Sequence, residues 1–451
     1  MIRSLTALAC LLTAFAASAA EWQPVPGPLA TRWAKSVTPE KVHAEYPRPQ
    51  LVRKAWTNLN GLWDCSITSG EDSAKERFSG KILVPFPVES SLSGVMQRVG
   101  PDETLWYRRT FDVPKREKTD RVLLHFGAVD WHTRVRVNDR EVGEHRGGYT
   151  PFTCDVTDAL QSSGPQKLLV QVTDPTDASF QPRGKQVRKP EGIWYTPTTG
   201  IWQTVWLEVV PATFIDRVLP EADIDANRVA VKVHVKGSGG LQLRLVARDG
   251  ETVVAQTTGK PGKPIELKLA KPKLWSPADP HLYDLDVALL DGDRVVDSAR
   301  SYFAMRKISL GRDDQGLTRI LLNNKFVFQS GPLDQGFWPD GLYTAPSDEA
   351  LRYDLEVTKK LGFNMVRKHV KVEPARWYRH CDELGLLVWQ DMPSGDRYIG
   401  AGDPDIQRSK ESAENFRREW EEIIDDFRFF PSIVMWVPFN EGWGQFATSE
   451  I

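Results

Sequence analysis

Ile433-Val434-Met435-Trp436-Val437-Pro438-Phe439-Asn440-Glu441 is an apolar run of strand length that ends in an amide and a carboxylic acid. Two runs of the same form precede it. Phe363-Asn364-Met365-Val366 leads into Arg367 and His369, and Leu386-Leu387-Val388-Trp389 leads into Gln390 and Asp391. Amphipathic helical patterns separate them. One helix is predicted from Ser347 to Leu361, with Ser347 as N-cap and Gly362 just past its end. A second starts near Pro374, places Trp377, Cys381 and Leu384 on one face, and stops at Gly385. A third puts Phe416, Trp420, Ile423, Ile424 and Phe427 on one face. Apolar strands alternating with helices predict βα units and a parallel sheet.

A doubly wound sheet and a (β/α)₈ barrel both fit that alternation. No Gly-rich nucleotide loop follows any of the strands, which weighs against the first. In a barrel, polar residues just past each strand converge on one face, as Arg367 and His369, Gln390 and Asp391, and Asn440 and Glu441 do here. With Lys325 to Ser330 taken as a first strand, about four strands are expected, half of the eight a barrel needs. The chain is therefore expected to stop inside its catalytic domain.

Upstream the pattern is different. From about Tyr46 to Pro211, Val135 and Val137 alternate with Arg134 and Arg136 before an Asn138-Asp139-Arg140 turn, and Leu168, Val170 and Val172 alternate with more polar residues. Gly147 to Phe152 interrupts this as a loop. From about Ala212 to Lys307, Val229, Val231, Val233 and Val235 alternate, as do Leu241, Leu243 and Leu245, and Tyr283, Leu285 and Val287. Period two with frequent turn signals predicts two antiparallel β-sandwiches, the second immunoglobulin-like in length. Gly237-Ser238-Gly239-Gly240 is read as a hairpin loop within it rather than a domain linker.

Lys plus Arg number 58 against 60 Asp plus Glu, so nothing favours a nucleic-acid partner or an anionic membrane surface. The charged start Met1-Ile2-Arg3, the apolar run from Leu5 to Ala17 and the small residues Ala17-Ser18-Ala19-Ala20 predict a secretory signal over 1–20. The run is too short to span a bilayer, and no other segment is long and apolar enough to do so. A secreted or periplasmic location follows. Cys65, Cys154 and Cys381 then remain, either as buried apolar residues or with one bridge among them, and their spacing suits no metal. No metal and no cofactor are expected. The 16 Trp suit both large cores and sugar stacking.

Glycoside hydrolysis uses two carboxyl groups, one of which protonates the leaving oxygen. Glu441 is the candidate acid: it follows an apolar strand, and Phe439 and Trp443 stand close in sequence, an apolar setting of the kind that raises a carboxyl pKa. Asn440 is placed to hold a sugar hydroxyl. Arg367 is either a structural ion pair or a cation that orients a nucleophile or binds substrate, and His369 is either a satisfied loop histidine or a ligand. Asp391 either accepts from a sugar hydroxyl or pairs with Arg367. Asp334 and Trp338, in the loop Gly331 to Asp340, are either a sugar subsite or plain packing.

These motifs together resemble glycoside hydrolase family 2. The resemblance is carried by Leu59-Asn60-Gly61-Leu62-Trp63, Val84-Pro85-Phe86-Pro87, Trp106-Tyr107-Arg108-Arg109, Gly200-Ile201-Trp202-Gln203, Leu274-Trp275-Ser276-Pro277, Asn364 to His369 and Asn440-Glu441. It implies a jelly-roll-type sugar-binding sandwich over 21–211, an immunoglobulin-like sandwich over 212–307 and the first half of a TIM barrel over 308–451. It also implies an exo-acting retaining β-glycosidase with Glu441 as acid/base, Asn440 at the sugar 2-hydroxyl, and a nucleophilic Glu on a later strand that none of these residues matches. Without that Glu the 451 residues are expected to be inactive alone. Arg367 to Pro374 departs from the Arg-x-Ser-His-Tyr-Pro of many members, so the sugar and linkage stay open, as does the oligomeric state. The substrate is an oligosaccharide or glycoside. A non-catalytic carbohydrate-binding protein is the rival reading. An inverting or metal-dependent hydrolase ranks below it, because no His/Asp ligand cluster is written in the chain.

Protein recovered from its native host is expected to begin at Ala20 or Glu21. N-terminal sequencing checks this, and an intact Met1 would refute it.

Overall fold

The computed structural model describes residues 22–70, 78–400 and 402–451. The predicted secretory signal lies outside the described residues. The molecule is β-rich and multi-domain, with three α-helices among the described residues, all in its last third.

The first sandwich packs a four-stranded antiparallel sheet against a six-stranded one. Val135 and Val137, and Leu168, Val170 and Val172, turn their side chains inward between the sheets, as their alternation predicts, beside Trp63, Leu105, Tyr107, Leu124 and Phe126. Asn138 and Asp139 adopt left-handed backbone angles (φ 49° and 65°) and close the hairpin between His132–Val137 and Arg140–Arg146. The second sandwich pairs a three-stranded with a four-stranded sheet around Val229, Val231, Val233, Leu243, Leu245, Leu285 and Val287. Here Gly237 to Gly240 is not a hairpin. It joins Arg228–Lys236 in one sheet to Gln242–Asp249 in the other. Gly237 sits at φ 105° with the Ala212 carbonyl 2.5 Å from where a Cβ would stand, so the crossing needs glycine. Cys65, Cys154 and Cys381 are all buried and free, which leaves no bridge among them.

The last third holds a four-stranded parallel sheet of Leu333–Asp334, Met365–Lys368, Leu387–Asp391 and Ile433–Val437, each beside its sequence neighbour. Helices α1 (Asp348–Lys360), α2 (Ala375–Leu384) and α3 (Lys410–Phe427) connect them in turn. The caps follow the sequence. Ser347 accepts from the Ala350 N–H at 3.1 Å, and Gly385 ends α2 at φ 69°. The expected first strand over Lys325 to Ser330 is a correction. Asn323 and Asn324 (φ 53° and 63°) turn the chain back on itself, so Lys325–Phe326 pairs antiparallel with Thr318–Leu322 and the parallel sheet begins at Leu333. Phe326 and Phe328 stay exposed.

Asp382, at the end of α2, ties the parts together. Its carboxylate accepts from the Tyr302 hydroxyl of the second sandwich at 2.7 Å and from the Ser432 N–H ahead of the last strand at 2.8 Å. Its carbonyl accepts from Trp275 Nε1 at 2.8 Å. Burial pushes its pKa up to about 7, against the hydrogen bonds from Ser432 and Tyr302. A carboxyl that holds its proton more tightly in the fold than in the unfolded chain stabilises the fold fully below about pH 4, and that stability is lost as pH rises through 7. Asp382→Asn cannot ionise, and its amide can accept from the Ser432 N–H while its own N–H donates to the Tyr302 hydroxyl oxygen. Relative to this variant, the wild-type chain is expected to lose stability between pH 4 and 8, on the order of 4 kcal/mol for a shift of this size. Urea unfolding of both across that range checks it. Parallel pH curves would remove Asp382 as the source.

Candidate active site

The carboxyl ends of the parallel strands collect the polar residues that the sequence singled out. Asp391, fully buried, is the last residue of its strand. Arg367 grips it with two bonds of 2.9 Å, from Nε to Oδ1 and from Nη2 to Oδ2. His369 Nδ1 lies 3.0 Å from Oδ2, and the Val370 N–H donates to the same oxygen at 3.3 Å. Arg367 Nη2 also donates to Asn440 Oδ1 at 2.9 Å. That bond uses the amide oxygen of Asn440 and leaves its N–H donors for another partner.

Of the two roles open to Asp391, the structure therefore takes the ion pair. A buried carboxyl group is satisfied here by a bidentate guanidinium. Arg367 is 28% exposed, so its outer edge still reaches the mouth of the site.

Glu441 follows Asn440 at a left-handed φ of 51°, with Gly442 (φ 73°) and Gly444 (φ 71°) close behind. The Trp443 N–H donates back to the Asn440 carbonyl at 2.8 Å, which closes a tight turn. Glu441 is exposed, and among the described residues its carboxylate has no hydrogen bond or ion pair. The apolar neighbours expected around it turn elsewhere. Phe439 stacks on Phe416, and Trp443 packs edge-on against Trp194 at 5.0 Å.

Asp334 and Trp338 do not join this cluster. Period two puts Arg367 and Lys368 on opposite faces of their strand. Asp334 sits with Lys368, whose ammonium donates to it at 2.7 Å and to Glu373 at 2.8 Å while lying 4.4 Å from the Trp377 ring of α2. Trp338 packs edge-on near Trp33, with ring centroids 6.1 Å apart. Among the described residues, no three His, Cys, Asp or Glu side chains gather to hold a metal ion.

Two sequence comparisons bear on this geometry. The family model "Glycosyl hydrolase 2 galactose-binding domain-like" matches residues 89–199, and "Glycosyl hydrolases family 2" matches residues 213–306. Two successive segments of the chain thus resemble domains of glycoside hydrolase family 2. A putative β-glucuronidase of Formosa agariphila is 28% identical over 346 residues, 74% of this chain and 39% of that protein. A β-galactosidase of Thermoanaerobacter pseudethanolicus is 29% identical over 353 residues, 74% of this chain and 44% of that protein. The chain thus spans less than half the length of these relatives. Among solved structures, the Ruminococcus gnavus β-glucuronidase in complex with C6-substituted uronic isofagomine superposes with a TM-score of 0.73 at 20% identity, covering 89% of this chain and 69% of that one. That likeness is one of fold.

Two features of this site escaped the sequence reading. One is the buried pair Lys368 and Lys371, which share Glu373 Oε1 at 2.8 and 2.9 Å. Burial pulls Lys371 down to about 8, while Asp334 and Glu373 outweigh burial at Lys368 and hold its pKa up. The signal was present, because Lys371 lies between the apolar Val370 and Val372. The other is a segment of the first sandwich. The Arg183 and Gly184 N–H groups donate to the Ser394 carbonyl at 3.0 and 2.9 Å, and the Arg183 guanidinium covers both Trp194 and Trp443. Tyr195 stacks on Phe337 with ring centroids 4.0 Å apart. One sandwich segment therefore braces the loops that follow three of the parallel strands.

Arg367→Met strands the Asp391 carboxylate in a buried position and is expected to cost about 3–5 kcal/mol of stability. Adding Asp391→Leu removes the stranded charge and should recover most of that loss. Denaturant unfolding of the two variants decides it: if the double variant is no more stable than the single one, unpaired charge is not the cause.

Proposed function

We propose that this chain carries the acid/base half of an exo-acting retaining β-glycosidase. Its four parallel strands form the first half of a (β/α)₈ barrel that follows sandwiches over 21–211 and 212–307, with export directed by residues 1–20. Support for the barrel comes from the strand order, which shows no reversal, and from the polar residues gathered at one end of the sheet. Leu333–Asp334 and Ile433–Val437 each have one neighbour in that sheet, which leaves both edges for further strands.

The observation that carries the reading is the exposed Glu441 directly after an Asn440 whose orientation is set by Arg367 and Asp391. With its oxygen taken, Asn440 offers an N–H to the sugar hydroxyl beside the scissile bond. Glu441 protonates the departing glycosidic oxygen. It then takes a proton from the water that releases the glycosyl group. His369 and the outer edge of Arg367 hold further hydroxyls. The carboxylate that attacks the anomeric carbon comes from a later strand, outside these 451 residues. The named relatives are β-glucuronidases and β-galactosidases, so the substrate is a β-configured pyranoside.

In protein carrying the complete barrel, Glu441→Ala should slow hydrolysis of glycosides with poor leaving groups by roughly 10²–10⁴-fold more than those with dinitrophenolate. Azide needs no base and should restore turnover with retained configuration. Azide product of the opposite anomer would make Glu441 the nucleophile. Equal slowing of all substrates without azide rescue would make it structural.

A further inference from the structure

Arg183 of the first sandwich stands against the turn that carries Glu441, and it is only 9% exposed. Its guanidinium lies 5.4 Å from the centre of the Trp194 ring and 5.2 Å from that of Trp443, the second residue after Glu441. Within the protein it spends only Nη1, on the Gln186 carbonyl at 2.7 Å and the Gly184 carbonyl at 3.4 Å. Nε and Nη2 have no hydrogen-bond partner among the described residues, and neither is sealed from solvent.

No acid neutralises this cation. Asp177, the carboxylate that acts on it from a distance, is taken by Arg188 at 2.7 Å. None of the exposed acids on the neighbouring loops, Glu191, Asp403, Asp405 or Glu441, forms an ion pair with it. Burial therefore pulls its pKa down, with only Asp177 and two tyrosines acting against it. A second cation stands beside it: the half-buried Lys185 brings Nζ to 6.0 Å from the same Trp194 ring, also without an ion pair among the described residues.

A nine-tenths buried cation is costly unless an anion meets it. Nε and one Nη form the edge on which a carboxylate or sulfate docks through two parallel bonds, the same edge by which Arg367 holds Asp391. The side of Glu441 on which this edge lies matters. Asn440, His369 and Arg367 take the sugar whose bond is cleaved, and Arg183 contacts none of them. It contacts Trp443, past Glu441 along the turn, where the half-buried Trp194 keeps part of an aromatic surface open for a second ring. We propose that Arg183, with Lys185, forms a subsite for an anionic group, carboxylate or sulfate, on the leaving-group side of the glycan, a proposal that rests on the glycosidase reading above.

The probes are β-galactosides and β-glucuronides that each carry three leaving groups: para-carboxyphenol, its neutral methyl ester and para-phenolsulfonate. In protein carrying the complete barrel, Arg183→Met is expected to lower kcat/KM for one or both charged leaving groups about 10- to 100-fold more than for the ester, chiefly through KM. Whether the carboxylate or the sulfonate loses more tells which anion the site takes. Lys185→Met should act in the same direction with a smaller effect, and it decides the matter if Arg183→Met does not fold by thermal melt. Equal losses for charged and neutral leaving groups would make Arg183 a brace for the loops and overturn the subsite. Losses that follow the charge of the glycone, glucuronide against galactoside, would place the anion on the other side of Glu441 and overturn it as well. Saturation-transfer NMR of the same compounds on the chain itself needs no turnover. If the complete protein hydrolyses none of them, the glycosidase reading fails. A preference of the chain for the charged compounds that Arg183→Met abolishes would still uphold the anion site, and no such preference would overturn it.

Discussion

A carboxylate with no solvent access is the constraint from which the site is built. The oxygens of Asp391, closed off from solvent at the end of its strand, need cations and N–H groups around them. Arg367, His369 and the Val370 backbone meet that demand from the neighbouring strand. Once Arg367 is fixed on Asp391, the second N–H of its Nη2 has one orientation, and that orientation turns the Asn440 amide. The electrostatic need of one buried group thus propagates across three strands to the residue next to Glu441.

The strand geometry keeps a second charged layer apart from the first. Lys368, one residue from Arg367, faces the helices, and with Lys371 it shares Glu373 beneath the site. Two buried ammoniums on one carboxylate oxygen balance only because Asp334 joins Lys368 and backbone carbonyls of Gly336 and Tyr343 accept from Lys371. This layer fixes the loops from below, while the sandwich segment around Arg183 and Tyr195 braces them from the side. Gly184 shows how close that approach is: a Cβ there would stand 2.3 Å from the Val370 carbonyl.

Local signals in the sequence carried far where one short rule governs. Period two placed the sandwich strands, and helix caps placed α1 and α2 within a residue or so, because both depend on neighbours along the chain. The inner cluster of Arg367, His369, Asp391 and Asn440 was legible for a related reason: parallel strands deliver their ends to one face. The errors arose where a rule was applied without its partner. Lys325 to Ser330 has strand composition, but Asn323-Asn324 is a hairpin turn and reverses the chain. Gly237 to Gly240 reads as a hairpin by composition, yet glycine serves equally for a crossing between sheets. Asp334 and Trp338 are close in sequence, but the preference of Asp334 for Lys368 depends on a strand more than thirty residues away. No local pattern encodes that.

The contrast between Asp391 and Glu441 carries the functional argument furthest. Both are acids just past parallel strands, and sequence alone assigns them similar prospects. Asp391 is sealed and bidentately paired, with its oxygens taken by Arg367, His369 and the Val370 N–H. Glu441 is exposed, without an ion pair among the described residues, and held by a left-handed turn between Asn440 and Gly442. A left-handed turn at a residue with a side chain costs roughly 1–2 kcal/mol, and the surrounding bonds from Trp443 to Asn440 and from Gly444 to the Arg397 carbonyl keep it in place. A proton donor must keep its oxygens free for substrate and its backbone fixed. Of the two acids, only Glu441 meets both conditions, while Asp391 acts through Arg367 on the side chain of Asn440 beside it.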